Sequence, residues 1–128
     1  MPRSVLTSAA PQPAGHYSQA IVHGGLVFVA GQLPIDPATG RVLAGETVEA
    51  QTERALANLG AILEAAGSDL EHVLRVTVYI ADVSLWPRVN AAYAAWFGAH
   101  RPARTVVPTG ALHHDVLVEV DAVAALAG

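Results

Sequence analysis

A chain of 128 residues with 11 acidic and 7 basic side chains, net charge −4, has the size of one domain and offers no basic footprint for nucleic acid. All seven of those basic side chains are arginine and cysteine is absent, which excludes Schiff-base and pyridoxal phosphate chemistry, a Gly-Lys-Ser/Thr phosphate loop, disulfides, thiolate metal sites and a cysteine nucleophile. Although 52% of the residues are hydrophobic, no apolar run reaches the length of a bilayer-spanning helix and no charged-then-apolar leader opens the chain, so a soluble, unexported, cytoplasmic protein with no membrane partner is expected.

Residues 1–14 carry three prolines and no periodicity, and read as an extended arm leading into Tyr17. A strand is expected from Ser18 to Val22 and a second over Leu26–Gly31, joined antiparallel by the hairpin signal Gly24-Gly25. Asp36-Pro37-Ala38-Thr39-Gly40 is a turn. From Thr47, an N-cap, to Gly67, a stop, Ala55, Leu56, Leu59, Ile62, Leu63 and Ala66 recur at helical spacing. Leu74 to Asp82 alternates as a strand, with Val76, Val78 and Ile80 on one face. Ser84 is expected to cap a second helix, with Pro87 tolerated in its first turn and an apolar stripe of Val89, Tyr93, Trp96 and Phe97 ending near His100. Ala103–Thr109 and Val116–Leu126 read as the last two strands.

The order β-β-α-β-α-β-β over a single domain, residues 1–128, predicts an α+β fold with one sheet and two helices packed on one of its faces. The other face needs a cover. In the last strand Leu117, Glu119, Asp121 and Val123 line the side opposite Val116, Val118, Val120 and Ala122, and are too apolar for water alone, which predicts a homo-oligomer.

Two residues near the C-terminus suggest chemistry. Arg104, in Arg101-Pro102-Ala103-Arg104, can fork a carboxylate, and Glu119 lies in an otherwise apolar strand, where a carboxylate must be paired or reach water. By residue type alone Arg104 reads more readily as an ion-pair residue, and Glu119 equally as a rim carboxylate or a functional one. Tyr17 reads as a packing aromatic and Asn90 as a helix-surface amide. The run His113-His114-Asp115 has metal-binding residue types, but adjacent turn histidines do not converge on one ion, and no metal site is predicted.

Five segments in order change that balance: Gly15-His16-Tyr17-Ser18-Gln19-Ala20, Val29-Ala30-Gly31-Gln32-Leu33-Pro34 with the turn at Asp36–Gly40, Val89-Asn90-Ala91-Ala92-Tyr93, Arg101-Pro102-Ala103-Arg104, and Leu117-Val118-Glu119-Val120. From about Ala14 to the C-terminus the chain resembles the RidA/YjgF family of imine and enamine deaminases, also called the endoribonuclease L-PSP family. The resemblance implies a chorismate-mutase-like fold, a homotrimer whose sheets form a central barrel, and active clefts between adjacent subunits. It further implies cofactor-free hydrolysis of reactive 2-imino or enamine acids to 2-oxo acids and ammonia.

On that resemblance Arg104 anchors the substrate carboxylate and Glu119 holds or deprotonates the attacking water. The backbone near Gly31 contacts substrate, Tyr17 lines the cleft from the neighbouring subunit, and Asn90 supports the loop carrying Arg104. Three positions depart from the deaminase pattern: Ala30 stands where a serine is usual, Val106 where a cysteine is usual, and His16 where a proline is usual. Loss of a hydroxyl at Ala30 and an apolar wall at Val106 point to altered turnover. Two other functions therefore stay open, a non-catalytic trimer binding small carboxylate metabolites and a ribonuclease or translation inhibitor; the acidic charge and missing lysine oppose the last.

Overall fold

A computed structural model describes all 128 residues. Helix α1 spans Val48–Ala66 and begins where expected, because the Thr47 hydroxyl accepts the Ala50 amide at 3.1 Å and so satisfies one of the free donors of the first turn. It ends at Gly67, whose φ of 91° lets its amide turn back onto the Glu64 and Leu63 carbonyls. Its face of Ala55, Leu56, Leu59, Ile62 and Leu63 is fully buried. Helix α2 spans Trp86–Phe97 with Pro87 in the first turn, and it buries Val89, Tyr93 and Phe97 while Trp96 packs partly buried against the core. It stops at Phe97, three residues before His100.

Ser84 does not cap α2. Asp82 instead caps a 3-10 turn, Val83–Leu85, accepting from the Ser84 amide at 2.9 Å, and α2 follows Leu85 with no side-chain cap. A carboxylate is the stronger acceptor at that turn, and Pro87 removes one amide that a cap would otherwise satisfy.

Six strands form one sheet: β1 (Arg3–Val5), β2 (Ala20–His23), β3 (Leu26–Gln32), β4 (Val73–Ile80), β5 (Ala103–Pro108) and β6 (Val118–Ala125). Their order across the sheet is β1-β2-β3-β6-β4-β5, with β4 and β5 parallel and every other neighbour antiparallel. The arm read as extended contributes β1, an added strand ahead of the expected order, pairing Arg3 with Val22 and Val5 with Ala20. Three residues are too few to show a period. What fixes the arm is Gln19, a buried amide that accepts the Thr7 amide at 2.7 Å and donates to the Thr7 and Pro11 carbonyls at 3.0 and 2.9 Å.

Both helices cover the face carrying Val27, Val29, Val76, Val78, Val118, Val120, Ala122 and Ala124, which with the α1 stripe make the core. The opposite face has no cover within the chain. Ile21, Phe28 and Val123 follow one another across β2, β3 and β6, and Phe28 is 46% exposed. Farther along, the same face carries Tyr79, Glu119 and Asp121, with Tyr79 opposite Glu119. No helix is long and apolar enough to cross a membrane.

Candidate active site

Glu119 owes its position to a fault in strand pairing. Between Val29, opposite Ala122, and Gln32, opposite Val120, β3 has one more residue than β6. This bulge at Ala30-Gly31 bends β3 beside the acid and leaves room for its head group. A Cβ on Gly31 would overlap Glu119 Oε2, so only glycine lets the carboxylate lie against the β3 backbone. Glu119 is half-buried in a cleft of about 430 Å3 that is also lined by Tyr17, Ala30, Gly31, Gln32, His113 and His114, with the end of the N-terminal arm along one side. No side chain hydrogen-bonds it and no cation pairs with it. Burial, and then the nearby Asp121 charge, push its carboxyl above the usual carboxylate range, while His113 opposes the rise. Asp121 is itself engaged, accepting the Tyr79 hydroxyl at 2.9 Å; that bond, more than burial, raises the Tyr79 phenol.

Arg104 occupies a different cleft on the other face of the sheet. It lies beside Val76, a core-side residue of β4, and points toward α2. Its Nη1 donates to Asn90 Oδ1 at 2.8 Å, and its guanidinium sits 4.8 Å from the Tyr93 ring centroid and 5.7 Å from that of Trp86. Positions 86, 90 and 93 fall on one face of α2, so a single helical stripe stacks and orients the cation. Burial pushes the Tyr93 phenol up to about 12 despite the opposing Arg104 charge, so this hydroxyl stays protonated. The cleft, of about 420 Å3, also contains His100, Arg101 and Pro102, and no carboxylate lies in it. A planar fork, held on one edge and open on another, suits a carboxylate ligand.

The family model described as endoribonuclease L-PSP matches residues 7–126. The chain belongs to the RidA/YjgF family. It is 46% identical over 124 residues to a RutC family protein of Pyrococcus horikoshii, covering 97% of this chain and 98% of that one. It is 39% identical over 127 residues to the 2-iminobutanoate/2-iminopropanoate deaminase of Salmonella typhimurium, covering 97% and 98%. Among solved structures, Escherichia coli TdcF with bound serine superimposes with a TM-score of 0.90 at 32% identity, covering 96% and 98%.

Within this RidA/YjgF chain the expected site residues fall into two groups. Tyr17, Ala30, Gly31 and Glu119 share one cleft; Asn90 and Arg104 share the other. They do not meet within one chain, because Arg104 is on the helix side of the sheet and Glu119 on the open side. Asn90 bonds the Arg104 side chain itself, on strand β5, and not a loop carrying it. Val106 lines neither cleft; two residues along β5 from Arg104, it packs partly buried against the core. His16 is exposed, next to Tyr17. Sequence reasoning missed the stacking of Arg104 on Trp86 and Tyr93, which the i, i+4, i+7 spacing through Asn90 could have signalled. It also missed that His113 and His114 line the same cleft as Glu119, for which the sequence carries no periodic sign.

Proposed function

We propose that the protein hydrolyses reactive 2-imino or enamine acids to 2-oxo acids and ammonia, in clefts completed between copies of the chain in a homotrimer. The observation that carries this reading is a pair of unmatched charges: the Arg104 guanidinium has no acidic partner and the Glu119 carboxylate no cationic one. A 2-imino acid supplies what each lacks, a carboxylate for the fork and, one bond away, an electrophilic carbon that must receive water. The name of the Salmonella relative and the serine bound to TdcF support the same ligand class.

In this reading Arg104 fixes the substrate carboxylate while Glu119 takes a proton from water as the new C–O bond forms. The C=N electron pair moves onto the nitrogen of the protonated imine, giving a neutral carbinolamine. Glu119 returns its proton to that nitrogen; ammonia leaves with the C–N electron pair and carries off the hydroxyl proton as ammonium, leaving the 2-oxo acid and an ionised Glu119. An enamine enters after tautomerising to the imine. One substrate can span Arg104 and Glu119 only if they come from different copies, since the sheet separates them within a chain. The uncovered face of Ile21, Phe28 and Val123 offers the apolar area for that assembly. The reading needs no cofactor, metal, nucleic acid or membrane, and suits a cytoplasmic protein.

One observation favours a second reading. Ala30 presents a methyl group to the Glu119 cleft where the deaminase pattern has a hydroxyl, which fits a trimer that binds carboxylate metabolites without turning them over. The two are separated by generating a 2-imino acid with an amino-acid oxidase, trapping it with semicarbazide, and comparing wild type with Arg104→Ala and Glu119→Ala. Acceleration by the wild type that both variants lose is the expected result. No acceleration, together with 2-oxo acid binding that Arg104→Ala abolishes, would select the binder. RNA cleavage that survives Arg104→Ala without imine hydrolysis would select a ribonuclease.

A further inference from the structure

The arginines of this acidic chain are not all spent on the fold. Arg41 and Arg88 pair with Glu46 and Glu49, while Arg3 and Arg54 donate to the Ala66 carbonyl and to the side-chain oxygen of Asn58. Arg101 has neither an acidic partner nor a side-chain hydrogen bond, and it lines the cleft of Arg104. Two guanidinium groups therefore share one cavity of about 420 Å3 whose lining contains no acid. In a chain of net charge −4 this is a local excess of positive charge that internal ion pairing leaves unanswered.

The backbone that presents Arg101 is fixed on both sides. Gly98, with φ at 65°, ends α2. His100 Nε2 then donates to the Val73 carbonyl at 2.8 Å, which ties the segment to the start of β4. Pro102 locks its own φ and keeps Arg101 out of the helical region. One residue later β5 begins, and Asn90 holds Arg104 at 2.8 Å. The exposed Arg101 side chain thus springs from a segment with little freedom of its own.

We propose that this cleft selects 2-imino or enamine acids bearing a second carboxylate on the side chain, the class of 2-iminosuccinate and 2-iminoglutarate. Arg104 takes the carboxylate beside the imine carbon and Arg101 takes the distal one. The proposal rests on the reading of Arg104 as the substrate fork and names the substrate class of that site. An apolar side chain would leave the Arg101 charge in water and gain nothing from it, whereas a carboxylate meets it in charge-assisted hydrogen bonds. Three residues of chain separate the two Cα atoms by at most about 10 Å, and two long arginine side chains narrow that gap to the span of a short diacid. Ala94, Phe97 and Pro102 supply apolar surface in the same cleft for the methylenes between the carboxylates.

The test compares 2-iminoglutarate with 2-iminobutyrate, generated in situ by amino-acid oxidases from glutamate and 2-aminobutyrate and trapped with semicarbazide. Binding of 2-oxoglutarate and 2-oxobutyrate is measured by calorimetry alongside, because it does not depend on turnover. Wild type favours the diacid in both measurements. Arg101→Gln lowers the diacid-to-monoacid ratio about fivefold or more in affinity and in kcat/KM. Arg41→Gln, which removes the same charge from a residue that pairs with Glu46, leaves the ratio where it was. Arg101 is exposed, so its variant folds. The binding ratio decides. If wild type shows no preference for 2-oxoglutarate, if Arg101→Gln keeps that preference, or if Arg41→Gln lowers it equally, the proposal is overturned even where imine hydrolysis is normal. A binding ratio that falls only in Arg101→Gln, in a protein that hydrolyses neither imine, upholds diacid recognition and overturns only the reaction assigned to the cleft.

Discussion

A Cβ placed on Gly31 would overlap Oε2 of Glu119 and stand 3.2 Å from its carboxyl carbon. The glycine therefore decides where the acid can rest, and Gly31→Ala must push the carboxylate off the β3 backbone. Because the displaced atoms are the free end of a flexible side chain, stability changes by less than about 1 kcal/mol. If Glu119 activates water as proposed, turnover of a 2-imino acid falls at least about tenfold, because a misplacement of about 1 Å can cost up to about 100-fold. Paired measurements of Tm and kcat on the purified variant check both halves.

Arg104 and Asn90 form a unit in which the amide fixes one edge of the fork. Arg104→Lys keeps the charge but loses the planar fork and its stacking on Trp86 and Tyr93, and is expected to lower kcat/KM about 100-fold or more, a loss of about 3 kcal/mol. Asn90→Ala leaves the cation in place and costs about tenfold. Combining the two costs less than the sum, because both act on one orientation. A double-mutant cycle on kcat/KM, with 2-oxo acid binding measured alongside, reads the coupling directly.

The separation of Arg104 from Glu119 predicts complementation. Arg104→Ala and Glu119→Ala are each inactive alone, yet unfolding and refolding them together restores a fraction of wild-type turnover, because some mixed assemblies contain one cleft with both residues intact. Phe28→Asp, on the open face, yields a folded but dissociated and inactive chain. Sedimentation of the Phe28 variant and activity of the mixture decide the point; mixed assemblies that form but stay inactive would place the whole site in one chain.

Glu119 also sets a pH dependence of stability. Its folded-state carboxyl titrates above its unfolded value, chiefly through burial. Between those two points the folded chain holds the extra proton, and stability falls as pH rises through that window. Glu119→Gln removes the titration, so the variant is more stable than wild type at neutral pH by up to about 0.5 kcal/mol after solvent screening. The difference disappears below about pH 4. Thermal melts of both proteins across that range test the sign, and a variant less stable than wild type at neutral pH would contradict it.

Much of the fold was legible because its signals are local. Thr47 and Gly67 bracket α1 through hydrogen bonds to their own neighbours, Pro87 marks the first turn of α2, and the alternation through Val118, Val120 and Ala122 places those residues in the core. The absence of lysine and cysteine by itself excludes whole chemistries, and the ordered motifs from Gly15 to Val120 point to the family to which the chain belongs. Other features depend on contacts between distant residues. Strand β1 exists because Gln19 grips Thr7 and Pro11, the Ala30-Gly31 bulge because β3 and β6 pair out of step, and neither leaves a periodic trace. Which face of the sheet each candidate site residue occupies was decided by register: Arg104 lies beside core-facing Val76 and Glu119 opposite outward-facing Tyr79. Sequence alone named Arg104 and Glu119, because residue type and motif are one-dimensional. That they lie back to back across a sheet, and that two histidines from a distant turn share the cleft of the acid, follows from strand pairing and chain return, which only the folded chain defines.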